Sequence, residues 1–512
     1  MILLCHEYDR IVSVSNSLDG SAVAIRSKQP SEALFEIAQK YPEELVIWYH
    51  VSQQGNLNFE AFDSIFHHKK IMASFHPTEN YLLDAIGYVD QSPFIKLPKN
   101  VTYPTFQMSS LVGGIHASVL NCNPFKNSDA SFDYFLNSLA KQFMRVGLFC
   151  YSEPRLLLEN RNTTNSKSNF YDLFRFTRQH YKTRWVFLLF FNLLVYEKRL
   201  KMLPFLYSFL FNRRFQQDDV LDSVAVKSNR SSSSEQTIDV IIPTIGRKKY
   251  LYDVLKDLSA QTHLPVNVII VEQNPLPDSS SELDYLTSEP WPFHIDHTFT
   301  HQAGACNARN IALSKVTSEW VFLNDDDNRF ENNLLVDILS KISQYGIKVA
   351  TTSYLQPFEE KKIKVVHQSS IFGSGNSFLN KSILEKVKFD SRFEFGYGED
   401  NNFGLQMKIE GYDVIYFPDP SIIHLKAPNG GFRVSFYKQW DNEEIKPLPS
   451  PTIMLLKDLH YTKHQILGYK FIYFFKRWKS NFFKINPIVH FQKFNKNWKS
   501  SYYWMNVIKR EL

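Results

Sequence analysis

The chain has 512 residues, too many for one ordinary core, and two or three domains are expected. Its composition, 44% hydrophobic and 21% charged, is that of a globular protein, with a high aromatic share of 15% led by 43 Phe and 26 Tyr. The net charge of +6 is unevenly spread, because residues 451–512 hold 12 Lys or Arg against Asp458 and Glu511 and leave the rest slightly acidic. Cys5, Cys122, Cys150 and Cys306 lack paired spacing, which speaks against a zinc site or a disulfide framework and fits a reducing compartment. The N-terminal residues meet acid at Glu7, too early for a secretory signal. The longest apolar run, Trp185 to Tyr196, contains Asn192 and covers 12 residues. A bilayer needs about 20. No spanning helix is predicted.

Residues 1–160 read as a compact mixed domain, with a buried strand over 44–49 and helices over 33–40 and 132–146, the second ending at Gly147. His67-His68 is expected in a surface turn, since adjacent side chains diverge on a helix or a strand. Residues 161–236 form a helical and Ser-rich linker. Its 170–215 section mixes aromatics, leucines and cations, which suits either a helical hairpin packed between domains or an interfacial membrane contact. Ser231 to Ser234 closes it as a flexible tether.

A different rhythm occupies 237–435. Asp239-Val240-Ile241-Ile242-Pro243-Thr244 is a strand stopped by proline, followed by a helix over about 249–260, a second strand ending on Glu272, and a helix over about 305–314. A third strand ends abruptly in Asp325-Asp326-Asp327. Alternating continuous apolar strands and helices predict an α/β fold, a mostly parallel, Rossmann-like sheet covered on both faces, with ligands beyond the strands' C-terminal ends. Pro243, Thr244, Glu272 and the three acids all fall at that edge. Adjacent carboxylates repel one another, and a divalent cation is the simplest remedy; oxygen ligands suit Mg²⁺ or Mn²⁺. The alternative is a solvated turn capping the next helix. The loop from 279 to 298 has no assigned element. Downstream, the glycines around Gly375 allow close backbone approach to a ligand. A Gly-aromatic loop then leads into a helix starting at Glu399-Asp400, and His424 follows an apolar pair.

Together these stretches resemble a family 2 glycosyltransferase of the GT-A fold over about 237–433. Val240 to Thr244 is similar to the family's opening strand, and Asn307-Ala308-Arg309-Asn310 resembles its Ala-Arg-Asn element. The triplet at 325–327 resembles the metal-binding Asp-X-Asp, Glu399-Asp400 the Glu-Asp that supplies the base, and His424 a further metal ligand. The loop at 396–402 is similar to that of β-galactosyl- and N-acetylgalactosaminyltransferases. The resemblance implies an inverting, metal-dependent hexosyltransferase using a nucleotide-sugar donor, UDP-linked, and a glycan or lipid-linked acceptor in surface polysaccharide synthesis. It implies Asp400, with Glu399, as the catalytic base. Asp327, Asp325 and His424 would hold Mn²⁺ or Mg²⁺, and Pro243, Thr244, Glu272, Arg309, Asp325, Asp326 and Gly375 would contact the donor. Departures are Glu272-Gln273-Asn274, where the family commonly has Asp-Asp-Gly or Asp-Asn-Gly, and Gln406-Met407-Lys408, where many members carry Arg. A nucleotidyltransferase or a non-catalytic glycan- or membrane-binding scaffold are the alternatives.

The first domain echoes the catalytic one. At an offset of 264, Gly147 falls on Gly411 and Pro154 on Pro418, while 44–49 pairs with 319–324. His50, Val51 and Ser52 then stand for the three acids, Leu136 for Asp400 and Asn160 for His424, so 1–160 reads as a degenerate GT-A-like domain without metal or base. Residues 436–512 are a basic, aromatic helical tail. Rings and lysines of this kind suit a lipid headgroup layer, so peripheral attachment to the cytoplasmic face of the membrane is expected, and no nucleic acid partner.

Overall fold

The computed structural model describes residues 1–123, 131–161, 167–230, 236–428, 437–480 and 486–510. The Ser231–Ser234 tether and the Phe482-Phe483-Lys484 part of the tail lie outside them. In chain order the first half holds β1 (Ile2–Glu7), β2 (Arg10–Asn16), α1 (Pro30–Lys40), β3 (Leu45–His50), α2 (Phe59–Ile65), β4 (Ile71–Phe75), β5 (Tyr103–Pro104), β6 (Val112–His116), α3 (Ala117–Asn121), α4 (Phe132–Phe143) and β7 (Phe149–Ser152). Helices α5 (Phe170–His180), α6 (Arg184–Glu197) and α7 (Met202–Ser208) follow. The second half holds β8 (Ile238–Thr244), α8 (Lys248–Ser259), β9 (Asn267–Gln273), α9 (Tyr285–Ser288), β10 (His294–Thr300), α10 (Ala305–Leu313), β11 (Trp320–Asn324), β12 (Asn328–Arg329), α11 (Leu334–Tyr345), β13 (Val349–Leu355), β14 (His367–Gln368), β15 (Asn376–Asn380), α12 (Glu399–Ile409) and β16 (Ile415–His424). Helices α13 (Pro451–His460), α14 (Lys463–Ser480) and α15 (Pro487–Arg510) end it. Among the described residues no helix is long and apolar enough to cross a membrane.

The second sheet runs β10-β9-β8-β11-β15-β13-β16-β12, with β14 beside β16. Strands β8 to β11 are mutually parallel, and β15 then runs antiparallel to both β11 and β13. This mixed sheet is half parallel, less so than the apolar runs predict. The loop expected at 279–298 contains α9 and most of β10. Its strand, His-Ile-Asp-His-Thr-Phe-Thr, is half-buried at the sheet edge and lacks the apolar run that betrays a central strand. Phe322 of β11 stacks on Phe378 of β15 at 4.3 Å, holding in register the strand that ends in the acids.

The first sheet runs β2-β1-β3-β6-β4-β7-β5. Its run β1-β3-β6-β4-β7 has the same senses, parallel, antiparallel, antiparallel, parallel, as β8-β11-β15-β13-β16. β5 lies antiparallel to β7 as β14 does to β16. Single hydrogen bonds correspond at the 264 offset: Thr105 N–H donates to Cys150 O as Ser369 does to Val414, and Leu148 to Phe143 as Tyr412 to Met407. Gly147 and Gly411, with φ of 103° and 85°, turn the chain after the equivalent helices.

The halves are fused by one apolar cluster that takes Ile47, Phe62, Ile71 and Phe149 from the first and Ile238, Leu251, Phe322 and Ile338 from the second. Gln368 clasps the peptide of Cys150 across the join, accepting from its N–H at 2.7 Å and donating to its carbonyl at 3.3 Å. His67 and His68, expected at the surface, are buried at this join instead, 6% and 5% exposed. The His67 ring bonds Ser228 Oγ at 2.9 Å, and His68 packs edge-on against Phe149 and Tyr345. Burial and neighbouring cations depress the two rings to about 2 and 3, so both stay neutral. The adjacent rings do not diverge as expected but meet edge to face at 4.7 Å, with protein closed around both.

Candidate functional site

The C-terminal ends of β8 and β11 open on a cleft of about 440 Å³. Its walls include Pro243, Thr244, Arg309, all three acids of the triplet, Gly375, Glu399, Asp400 and His424. Residues drawn from positions 243 to 424 thus face one cavity. Glu272 is the exception: it ends β9 beside Thr244, but its carboxylate accepts from His297 at 3.0 Å, Ser281 at 2.5 Å and the Glu282 N–H at 3.2 Å. The neighbouring Gln273 lines the cleft in its place and accepts from Gly304 N–H at 2.6 Å.

The three acids have three different surroundings. Asp325 accepts from Tyr354 Oη at 2.8 Å and Arg309 Nη2 at 3.3 Å. Asp326, 3% exposed, accepts from Thr244 Oγ1 and Arg247 Nη1, both at 2.6 Å. Burial nonetheless lifts its carboxyl to about 6. Asp327, 1% exposed, accepts from Ala427 N–H at 2.8 Å and lies 3.3 Å from Arg247 and 3.4 Å from His424 Nε2. Burial works against its charge, but the His424 ring, the Ala427 N–H and Arg247 outweigh it and hold the carboxyl below its usual value.

Ligand atoms of Asp325, Asp327 and His424 all lie within 4.8 Å of one another. His424 is stacked on Tyr354 at 4.7 Å with its ring nearly parallel, so the tyrosine that holds Asp325 also orients the histidine. Asp327 Oδ1 is buried without a hydrogen-bond partner. A buried carboxylate oxygen left bare, facing a histidine nitrogen and a second carboxylate, is the donor set a divalent cation takes. The residues therefore fit the group that the sequence implies.

The opposite wall is α12. Asp400, in its first turn, accepts from Ser374 Oγ at 2.5 Å and Ser374 N–H at 3.3 Å. Burial raises its carboxyl above the usual range against the pull of Arg309, and burial with the adjacent Asp400 lifts Glu399 to about 7. In the first half, Asp133 of α4 is bonded to Ser110 at 2.8 and 2.9 Å in the same way, and Ser110 lies 264 residues before Ser374. The counterpart of Asp400 by contacts is therefore Asp133, one helical turn before Leu136.

Several positioning residues carry no local signal. Arg247 reaches two acids from about 80 residues away. Glu394 accepts the Cys306 and Asn307 N–H groups at 3.1 and 2.9 Å, capping α10, the helix that carries Arg309. A Cβ on Gly375 would come within 2.2 Å of the Asp325 carboxylate, so this glycine makes room for the acid. Lys408, from the Gln406-Met407-Lys408 stretch noted above, is buried against Asp413 at 3.3 Å and does not line the cleft. Breaking the buried pair by Arg247→Ala is expected to destabilise the fold by about 3 kcal/mol, read as a lower urea midpoint with an unchanged slope.

Residues 239–400 match the model of Glycosyl transferase family 2. The glycosyltransferase GlyA of Streptococcus pneumoniae serotype 4 is 26% identical over 255 residues, which is 44% of this chain and 36% of that protein. GlyG of the same organism is 20% identical over 119 residues, 23% of this chain and 39% of that one. This chain thus spans little more than a third of the length of either relative. Among solved structures, S. aureus TarS 1-349 in complex with UDP-GlcNAc superposes with a TM-score of 0.33 at 16% identity, covering 46% of this chain and 70% of that one. Residues 239–400 thus carry a family 2 glycosyltransferase domain, and the cleft just described lies at the C-terminal edge of its parallel strands.

Proposed function

We propose that this protein is an inverting, metal-dependent glycosyltransferase that moves a hexose from a UDP-linked donor to a glycan or lipid-linked acceptor at the cytoplasmic face of a membrane, in surface polysaccharide synthesis. The observation that carries the reading is the convergence of the Asp325, Asp327 and His424 set and the Glu399-Asp400 pair on one cleft. Asp327, Asp325 and His424 would hold Mn²⁺ or Mg²⁺, which when bound supplies Lewis-acid stabilisation to the departing diphosphate. Arg309, with two of its three guanidinium nitrogens unpartnered, adds positive charge in the same wall. Asp400 takes the proton of the acceptor hydroxyl as that oxygen attacks the anomeric carbon from the face opposite the diphosphate. One displacement inverts the centre. Ser374 holds Asp400 in place through the two bonds described above.

The test is a panel of nucleotide sugars offered with Mn²⁺ to the full chain, reading sugar transfer or slow donor hydrolysis. No turnover and no binding of any of them would end the proposal. The raised Asp400 gives a second test. The base acts ionised, so activity falls as pH drops through a value above the ordinary carboxylate range of about 4. An acid limb at or below that range would contradict the assignment.

The first sheet is read as a GT-A-like copy that lacks the metal set. Its strand order, strand senses and shared hydrogen bonds support this, as does the presence of His50, Val51 and Ser52 where the aligned strand offers acids.

A further inference from the structure

Helix α6 has no charged residue between Arg184 and Glu197 and is apolar on all sides. Helices of this kind are normally enclosed. One face, Val186, Leu189, Phe190 and Leu193, is packed in the core of the first half. The other face, Phe187, Phe191, Leu194 and Val195, is spaced i, i+4, i+7, i+8 and is exposed. Helix α7 and the turn after it repeat the arrangement: Leu203, Leu206 and Leu210 point outward, the last 77% exposed, while Pro204 is buried. The Phe187 ring lies 5.2 and 5.9 Å from those of Phe205 and Phe209, and through the exposed Phe209 the apolar surface of α6 runs onto the end of α7. Monomeric soluble proteins rarely leave so large an apolar surface to water.

The charges around it decide the occupant. Lys182 and Arg184 are exposed where α6 begins, Lys198 and Arg199 at the turn into α7, and Arg213 beyond its end. From 182 to 214 the sequence has one acid, Glu197, and it is paired with Arg199 and His464. Apolar faces bounded at both ends by cations match the acyl boundary and phosphate layer of an anionic bilayer. We propose that α6 and α7 lie flat in the interface of an anionic lipid membrane and are the main membrane contact of this protein. The tail is a weaker candidate, because Phe494, Trp498, Met505 and Ile508 of α15 are packed against the catalytic half. The proposal rests on the membrane part of the function proposed above and not on its chemistry.

Flotation of the full chain tests it, using vesicles of phosphatidylcholine alone or mixed with phosphatidylglycerol. Wild type is expected to float with the mixed vesicles only. The triple variant Leu203→Glu, Leu206→Glu, Leu210→Glu alters exposed positions and is expected to lose at least about tenfold of that partitioning. Its circular dichroism and its Mn²⁺-dependent donor hydrolysis in solution should be unchanged. Ile488→Glu with Phe491→Glu, at the exposed start of α15, is expected to float like wild type. Wild type failing to float, the α7 variant floating normally, or the α15 variant alone abolishing flotation would overturn the assignment. A wild-type dimer that the α7 variant converts to monomer, without flotation of either, would give the face to a second copy and also overturn it.

Discussion

Replacing Asp400 by Asn is expected to lower sugar transfer by about 10³-fold, within the span that a positioned general base supplies. The substitution keeps the size and one acceptor oxygen for Ser374, so the fold and donor affinity should survive; calorimetry with donor and Mn²⁺ reads the second. Removing a negative charge beside Glu399 also lets that neighbour ionise more readily, because Asp400 is the second cause of its rise to about 7. A variant with intact donor affinity and full activity would remove Asp400 from the chemistry. Ser374→Ala separates positioning from proton transfer. It should cost about tenfold and move the acid limb upward, since the lost Oγ bond favours the ionised carboxylate while the backbone N–H bond remains.

Asp327→Ala is expected to produce the second large effect, a fall of at least about 10²-fold in transfer together with loss of Mn²⁺ binding. Asp327 is the best placed of the three acids for this, because one of its oxygens is committed to Ala427 while the other makes no hydrogen bond and faces His424 Nε2 at 3.4 Å. Asp326→Asn is the control. That carboxylate is spent on Thr244 and Arg247, so its loss should weaken the fold more than the metal. Mn²⁺ affinity measured by paramagnetic resonance distinguishes the two, and an Asp327 variant that binds Mn²⁺ like wild type would sink the metal assignment.

The sequence exposes the parts of this site that end secondary elements. An apolar strand breaking into acids, and a helix opening on Glu-Asp after glycines, are local patterns. Their convergence on one cleft follows from the parallel sheet edge. Arg247, Tyr354 and Glu394 are hidden for the opposite reason. Each reaches its partner across 29 to about 90 residues, and no spacing rule links them. Glu272 shows the limit from the other side: the strand end is read correctly, yet the side chain turns to His297 on β10, an edge strand too polar to recognise. The same holds for His67 and His68, which are covered by Ser228 and by Tyr345 of α11, both far away in sequence. The tail aromatics alternate with cations as a membrane anchor would, but much of that set closes over the catalytic half, as Phe494 and Trp498 do.

The apolar cluster shared by both sheets bears on how the molecule can be taken apart. Excising the first half would strip Ile47, Phe62, Ile71 and Phe149 from one wall of the seam and strand Gln368 without its peptide. The two sheets repeat one order of strand senses, yet neither lifts out whole, because the half that carries the cleft keeps part of its core in the other.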